Sequence, residues 1–268
     1  MAFSLGPRAV ASGYRLTAFE RIGSTNTEAL AQVRNGVSGP TWFVTSDQTA
    51  GRGRRQRTWF APPGNLASSV LEVIEVSPSV AATLGFVAGV ALERAVRAIS
   101  VEASVRSGAA IDYALKWPND VLANKQKLTG IDLKAETTGD GRLAVVVGIG
   151  TNVVAAPEGT PFPATSLRAL GVDVSAEDVF SALSDAWAEL FPIWDRGRGF
   201  AEIRRLWLDR AAGLGELVSI RTGTAVIMGT FDTIDAGGCM VIRTSGGKSE
   251  TIAAGDVYFG SAASAGAI

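Results

Sequence analysis

Five short segments carry residue types suited to anionic and phosphorylated groups. The most distinctive is Gly51-Arg52-Gly53-Arg54-Arg55-Gln56-Arg57. Its glycines let backbone amides approach an anion closely, and its guanidinium forks can grip phosphate or carboxylate in a bidentate manner. It lacks the Lys-Ser/Thr ending of a P-loop, so it is not a Walker motif. In Lys116-Trp117-Pro118-Asn119-Asp120 a strand stops at proline, and an amide and a carboxylate then project from the turn. Lys127-Leu128-Thr129-Gly130-Ile131 sets a lysine at the head of an apolar strand, and Gly148-Ile149-Gly150-Thr151-Asn152 closes another strand with an amide. Ser24-Thr25-Asn26 offers hydroxyls and an amide at a helix start, where free N–H groups favour polar ligands. Each segment also has an ordinary reading: a solvated basic loop or nucleic-acid patch, a Pro-Asn-Asp turn, a snorkelling lysine, a turn asparagine and a helix cap.

The chain contains no histidine. That excludes Ser-His-Asp and Cys-His nucleophile systems, imidazole bases and His-based metal sites in one step. Carboxylates, lysine, arginine, backbone amides and hard metal ions remain. This set suits phosphoryl and nucleotidyl transfer, which mostly require positioning and charge stabilisation.

The elements that must hold these segments follow from the pattern of apolar residues. Strands are expected at 14–19, 41–46, 66–76, 115–117, 128–135 and 143–154, the last two paired around a turn at Gly139–Gly141. Thr25 and Glu28 have capping-box spacing before an amphipathic helix. Further helices are expected at 77–99, opened by Ser77-Pro78, and at 175–194 and 200–209. Strands and helices without regular βαβ alternation indicate an α+β mixed sheet, not a Rossmann fold. Beyond residue 212 the pattern changes to short strands at 217–221, 225–234, 239–244, 250–253 and 257–259 between Gly and Asp turns, the signature of a small β-barrel. Two domains are expected, 1–212 and 213–268.

The 268 residues suffice for one large and one small domain, and 47% apolar content fits a buried core. A net charge of -1 argues against a surface built to neutralise nucleic acid, so anion binding must be local. Cys239, the single cysteine, can form no internal disulfide, which points to a reducing, cytoplasmic setting. The first ten residues lack the apolar core of a signal peptide, and the most apolar runs, 82–96 and 143–154, are short or broken by Gly, Glu and Arg, so no membrane span is expected.

Taken in order, Ser24-Thr25-Asn26, Gln48 with the Gly-Arg loop, Lys116-Trp117-Pro118-Asn119-Asp120, Lys127-Leu128-Thr129-Gly130-Ile131 and Gly148-x-Gly-x-Asn152 resemble the biotin protein ligase family over residues 14–260. The turn Gly255-Asp256-Val257 and the small barrel resemble that family's SH3-like C-terminal domain. The resemblance implies an enzyme that activates biotin with ATP and Mg²⁺ to biotinyl-5′-AMP, then transfers biotin to a lysine of a biotin carboxyl carrier domain. Ser24, Thr25, Asn26 and Gln48 would face the ureido ring of biotin. Arg52, Gly53 and Arg54 would belong to a loop closing over biotin and its adenylate. Lys127 would sit between the biotin carboxylate and the α-phosphate, with Arg54 and Asp120 completing the catalytic set. Asp120 would hold the metal. Arg52, Arg54, Arg55, Arg57, Trp59, Lys116, Asn119, Asp120 and Asn152 would lie near the nucleotide. A homodimer is compatible with the family. Bifunctional members carry an N-terminal DNA-binding domain; only 23 residues precede Ser24 here, so no DNA binding is expected.

Gln56 stands where the family loop has glycine, and Thr129 and Asp132 replace small or apolar residues. Asp132 alternates to the face opposite Ile131 and Leu133 and is expected at the surface. A lipoate ligase would share the fold and adenylate chemistry, but would need a site for an aliphatic dithiolane and would lack this Gly-Arg loop. An octanoyl transferase would want a cysteine beside its lysine, and Cys239 lies far along the chain. A nucleic-acid-binding protein would want more than one arginine loop and a series of stacking aromatics.

Overall fold

The computed structural model describes residues 2–54, 57–160, 162–223 and 225–259. Strands β1 (Arg15–Phe19), β2 (Thr41–Thr45), β3 (Leu66–Ile74), β4 (Tyr113–Lys116), β5 (Asp120–Ala123), β6 (Gln126–Thr137) and β7 (Leu143–Thr151) form one sheet in the order β1-β2-β3-β7-β6-β5-β4. Only β1 and β2 pair in parallel; the other neighbours are antiparallel. A second, five-stranded antiparallel sheet of the SH3-like kind has the order β11-β10-β9-β8-β12. It is built from β8 (Leu217–Thr222), β9 (Ala225–Ile234), β10 (Met240–Arg243), β11 (Ser249–Ile252) and β12 (Asp256–Phe259). The α+β expectation holds.

Helices α1 (Pro7–Ala11), α2 (Thr25–Arg34), α3 (Pro78–Ala82), α4 (Leu84–Ile99), α5 (Val101–Ser107), α6 (Ala176–Trp194) and α7 (Phe200–Leu208) complete the chain. The helix expected at 77–99 is interrupted at Thr83, whose Oγ1 donates back to the Val80 carbonyl at 2.6 Å. By length and composition Pro78–Ile99 is apolar enough to cross a membrane, contrary to the sequence reading. Here most of it is buried, with α4 packed against α6 and the sheet. Helices α1 and α5 and strand β5 were not foreseen. β5 turns into β6 through Asn124 and Lys125, both with positive φ (48° and 64°), as a two-residue hairpin turn requires.

Side chains alternate across the sheet, so each strand divides its residues between two layers. Trp42, Val44, Val70, Val145, Val147 and Ile149 enter the larger core under α4 and α6, where Trp42 meets Phe180 and Trp187 edge to face. Phe43, Leu71, Ala144 and Val146 face the other way, onto Ala29 of α2. Along β7 this second series reads Ala144, Val146, Gly148, Gly150, so side chains vanish toward the strand's end. The neighbours around Gly150 are small as well: Gly130 and Ala67 flank it, while Ser69 and Asp132 flank Gly148. A floor of low relief results around Gly150.

Beneath the sheet, Tyr14 Oη donates to Glu72 Oε1 at 2.7 Å, and Trp187 Nε1 lies 2.9 Å from Tyr14 Oη and 3.1 Å from the same carboxylate oxygen. Burial pushes the Glu72 carboxyl up to about 7, against the lowering pull of these two donors.

Candidate active site

The glycine floor opens into a cavity of about 590 Å³ that reaches from the start of α2 to β12 of the small sheet, a size that suits a small-molecule ligand. At the α2 end, Ser24 caps the helix by accepting from Thr27 N at 3.4 Å. Thr25 is therefore not the cap that the capping-box spacing predicted. Its backbone N–H donates to Gln48 Oε1 at 3.0 Å, and its Oγ1 donates to the same oxygen at 3.3 Å. Ser69 Oγ lies 2.7 Å from both Thr25 Oγ1 and Asn26 Oδ1. A Cβ at Gly148 would run into the Asn26 amide, so the glycine is what lets Asn26 lie flat on the floor. This end is a cluster of buried hydroxyls and amides.

The opposite end is charged. Lys127 Nζ stands 2.7 Å from Asp120 Oδ1, an ion pair in the cavity wall. The two come together because β6 carries an extra residue: Val121 pairs with Thr129 but Leu122 with Lys127, leaving Leu128 as a bulge. The bulge shifts the alternation so that Lys127, Gly130 and Asp132 share the cavity face. Trp59 lies across the glycines; a Cβ at Gly150 would come within 2.6 Å of its indole nitrogen, and one at Gly130 within 3.0 Å of its ring. Lys127 Nζ is 5.7 Å from the centre of that indole.

The Gly-Arg loop forms a short hairpin over this end, with Gly53 N donating to Arg57 O at 2.9 Å and Trp59 N to Gly51 O at 3.0 Å. Arg54 donates to Asn119 Oδ1 at 2.9 Å, and the Asn119 amide donates to the Ile131 carbonyl at 2.8 Å. Arg52 lines the cavity and reaches Thr58. Arg57 turns to the small sheet and donates to Asp256 Oδ2 at 2.8 Å. Arg55 and Gln56 fall outside the described residues. Asn152 is buried with its amide donating to Thr165 O, while its Oδ1 has no hydrogen-bond partner among the described residues.

Lys116 is buried with its Nζ 3.4 Å above the Phe162 ring, and Phe259 and Tyr258 close the box at 5.7 and 6.0 Å. Burial, and secondarily repulsion from Lys127, lowers its ammonium to about 8, although Asp120 and Asp256 pull the other way. Asp132 corrects the sequence reading. It does lie opposite Ile131 and Leu133, but that face is the cavity, where Asp132 stands half-buried within reach of Arg54's charge. Burial raises its carboxyl, with Lys134 and Arg54 lowering it in part.

The cavity thus gathers Ser24, Thr25, Asn26, Gln48, Arg52, Gly53, Arg54, Arg57, Trp59, Lys116, Asn119, Asp120, Lys127 and Asn152. Sequence reasoning missed Ser68, Phe162, Arg221 and Tyr258, all of which line it, and Ser69, which is buried behind Thr25 and Asn26. Two adjacent serines inside the largely apolar run 66–74 were a readable signal; nothing local marked the aromatic residues.

Comparison with known proteins agrees with this arrangement. Residues 18–152 match the biotin/lipoate A/B protein ligase family, and residues 213–260 match the biotin protein ligase C-terminal domain. The chain is 40% identical to a biotin–[acetyl-CoA-carboxylase] ligase of Paracoccus denitrificans, covering 90% of this chain and 98% of that one. It is 32% identical to the enzyme of the same description from Mycobacterium tuberculosis, covering 92% and 90%. The structure of the Aquifex aeolicus biotin protein ligase in complex with biotin and ATP superposes with a TM-score of 0.70 at 25% identity, covering 91% of this chain and 97% of that one. With a polar-ended cavity, a lysine–aspartate pair and an arginine loop on this fold, the chain belongs to the biotin protein ligase family, enzymes of the biotin–[acetyl-CoA-carboxylase] ligase type.

Proposed function

We propose that the cavity binds biotin and ATP side by side, joins them as biotinyl-5′-AMP, and passes the biotinyl group to a lysine of a biotin carboxyl carrier domain. One observation carries this reading. A hydroxyl-and-amide cluster (Thr25, Asn26 and Gln48, backed by Ser69) and a cationic cluster (Lys127, Arg54) sit at opposite ends of one glycine-floored cavity. A urea needs the first end, because its buried donors and acceptors must all be paired. A carboxylate and a phosphate need the second.

In the first step a biotin carboxylate oxygen bonds to the α-phosphorus as the bond to the β-phosphate breaks, and pyrophosphate leaves. Lys127, paired with Asp120, offsets the charge growing on the phosphoryl oxygens, with Arg54 held ready by Asn119. Lys116, Trp59, Arg52 and Asn152 surround the nucleotide, and Ser24 joins the ureido end. In the second step the carrier lysine's amine bonds to the acyl carbon, AMP leaves, and the amine's proton goes to Asp120 or to water. Mg²⁺ fits Asp120, a carboxylate that lines the cavity beside Lys127, since one carboxylate plus phosphate oxygens is an ordinary donor set for that ion. When bound there it would neutralise phosphate charge. A cytoplasmic setting goes with a reaction that consumes ATP.

Incubation with biotin, ATP, Mg²⁺ and a carrier domain, followed by intact mass measurement, tests the reading. One biotinyl addition per carrier and biotin-dependent pyrophosphate exchange are expected. Exchange that responds to lipoate and not to biotin would overturn it.

A further inference from the structure

The Gly-Arg loop is tied to the small sheet by an arginine that turns away from the cavity floor. Arg57 Nη2 donates to Asp256 Oδ2 at 2.8 Å, joining residues 199 positions apart. Asp256 is the better-shielded partner, with its side chain 24% exposed against 66% for Arg57. It is also firmly placed: β12 begins with it and pairs antiparallel with β8, Asp256 opposite Arg221. Two further contacts fix the small sheet to the large one beside the Lys116–Asp120 segment. Trp117 Nε1 donates to the Gly238 carbonyl at 3.0 Å, and Lys116 sits in the box made by Phe162, Tyr258 and Phe259. Asp256 is therefore a fixed post standing at the cavity mouth, not a passenger on a loose module.

Arg57 transmits that fixture to the loop through its backbone. Its carbonyl accepts from Gly53 N at 2.9 Å, its own N–H donates to Arg54 O at 3.3 Å, and the Arg54 guanidinium reaches Asn119. We propose that Asp256 is a positioning residue: by holding Arg57 it sets the Gly53–Arg54 arm over the cavity, so the small sheet carries part of the grip on the activated intermediate. The proposal rests on the reading of the cavity as an adenylate site. A solvent-screened ion pair is weak, which suits an arm that must yield to an incoming acceptor at every turnover.

The test uses the full chain with Asp256→Asn, Arg57→Asp and the charge-swapped double variant Arg57→Asp/Asp256→Arg. Enzyme loaded with biotin and ATP, freed of excess substrate and kept without carrier, leaks adenylate to water, and AMP appearance gives the rate. Either single variant is expected to leak roughly two- to fivefold faster, and the swap to return toward the wild-type rate. Raising salt should bring the wild type to the Asp256→Asn rate. Unchanged leakage in Asp256→Asn, or a swap no better than the single variants, overturns the proposal, because an aspartate needed only to fold the small sheet would not be rescued by exchange. Trypsin cleavage after Arg54 in the unliganded protein, expected to be faster in Asp256→Asn, keeps the two readings apart. A wild type that forms no adenylate sinks the reading of the cavity, whereas equal cleavage in both proteins sinks the post.

Discussion

Glu72 makes stability depend on pH in a direction unusual for a carboxylate. It is buried against Tyr14 and Trp187, neither of which carries a positive charge at neutral pH, and its carboxyl rises from an ordinary 4.5 to about 7. A raised folded-state value means that the native protein holds a proton the unfolded chain gives up. The contribution is complete below about pH 4.5 and drains away as pH climbs through 7. At 1.36 kcal/mol per pH unit the gap amounts to about 3 kcal/mol, a sizeable part of a typical domain's stability. Glu72→Gln removes the titration while keeping an oxygen that accepts from both neighbours. Its second amide hydrogen has no evident partner, so the variant carries a constant penalty of about 1–3 kcal/mol. The readout is therefore the slope and not the level. Urea unfolding at half-unit steps from pH 5 to 8.5 should show the wild type falling relative to Glu72→Gln by about 3 kcal/mol. Parallel curves would refute the argument, because they would mean that the carboxyl ionises as easily inside the fold as outside it.

Other expected outcomes concern the cavity. Lys127→Ala should slow biotin-dependent pyrophosphate exchange by about 10²- to 10³-fold, the loss typical of one preorganised charge donor, with circular dichroism unchanged. Gly150→Ala places a methyl group where the Trp59 indole rests; isothermal titration should show weaker biotin binding, and a Trp59→Ala partner variant should recover part of it. Lys116 loses its charge as pH rises through about 8, so ATP affinity should decline over that interval in the wild type and stay level in Lys116→Arg, which remains charged.

Much of the fold was legible because long periodic runs outweigh local ambiguity. The strands around Val44, Val70 and Val147 and the helix through Trp187 stand where apolar spacing put them. The β5–β6 hairpin escaped notice because its turn is Asn124-Lys125, not Asn-Gly, and positive φ at lysine is not something sequence advertises. Asp132 was misplaced for a different reason. Alternation located its face correctly, but whether that face meets open solvent or a cavity depends on the distant segments that wall it in. The site residues drawn together were each ordinary alone. Phe162 and Tyr258 had no pattern of their own and entered only through the docking of the small sheet around Lys116.

Strand β7 acts as a partition, and its register serves two compartments at once. Positions 144, 146, 148 and 150 bound the α2 side and the ligand space, while 145, 147 and 149 bound the hydrocarbon interior. A one-residue slip would exchange them, pushing valine and isoleucine into the ligand's room and leaving glycine-sized voids in the interior. Single-residue insertions or deletions between 143 and 151 should therefore be tolerated nowhere, whereas the turn at 139–141, which both strands share, can absorb a change of length without disturbing either side.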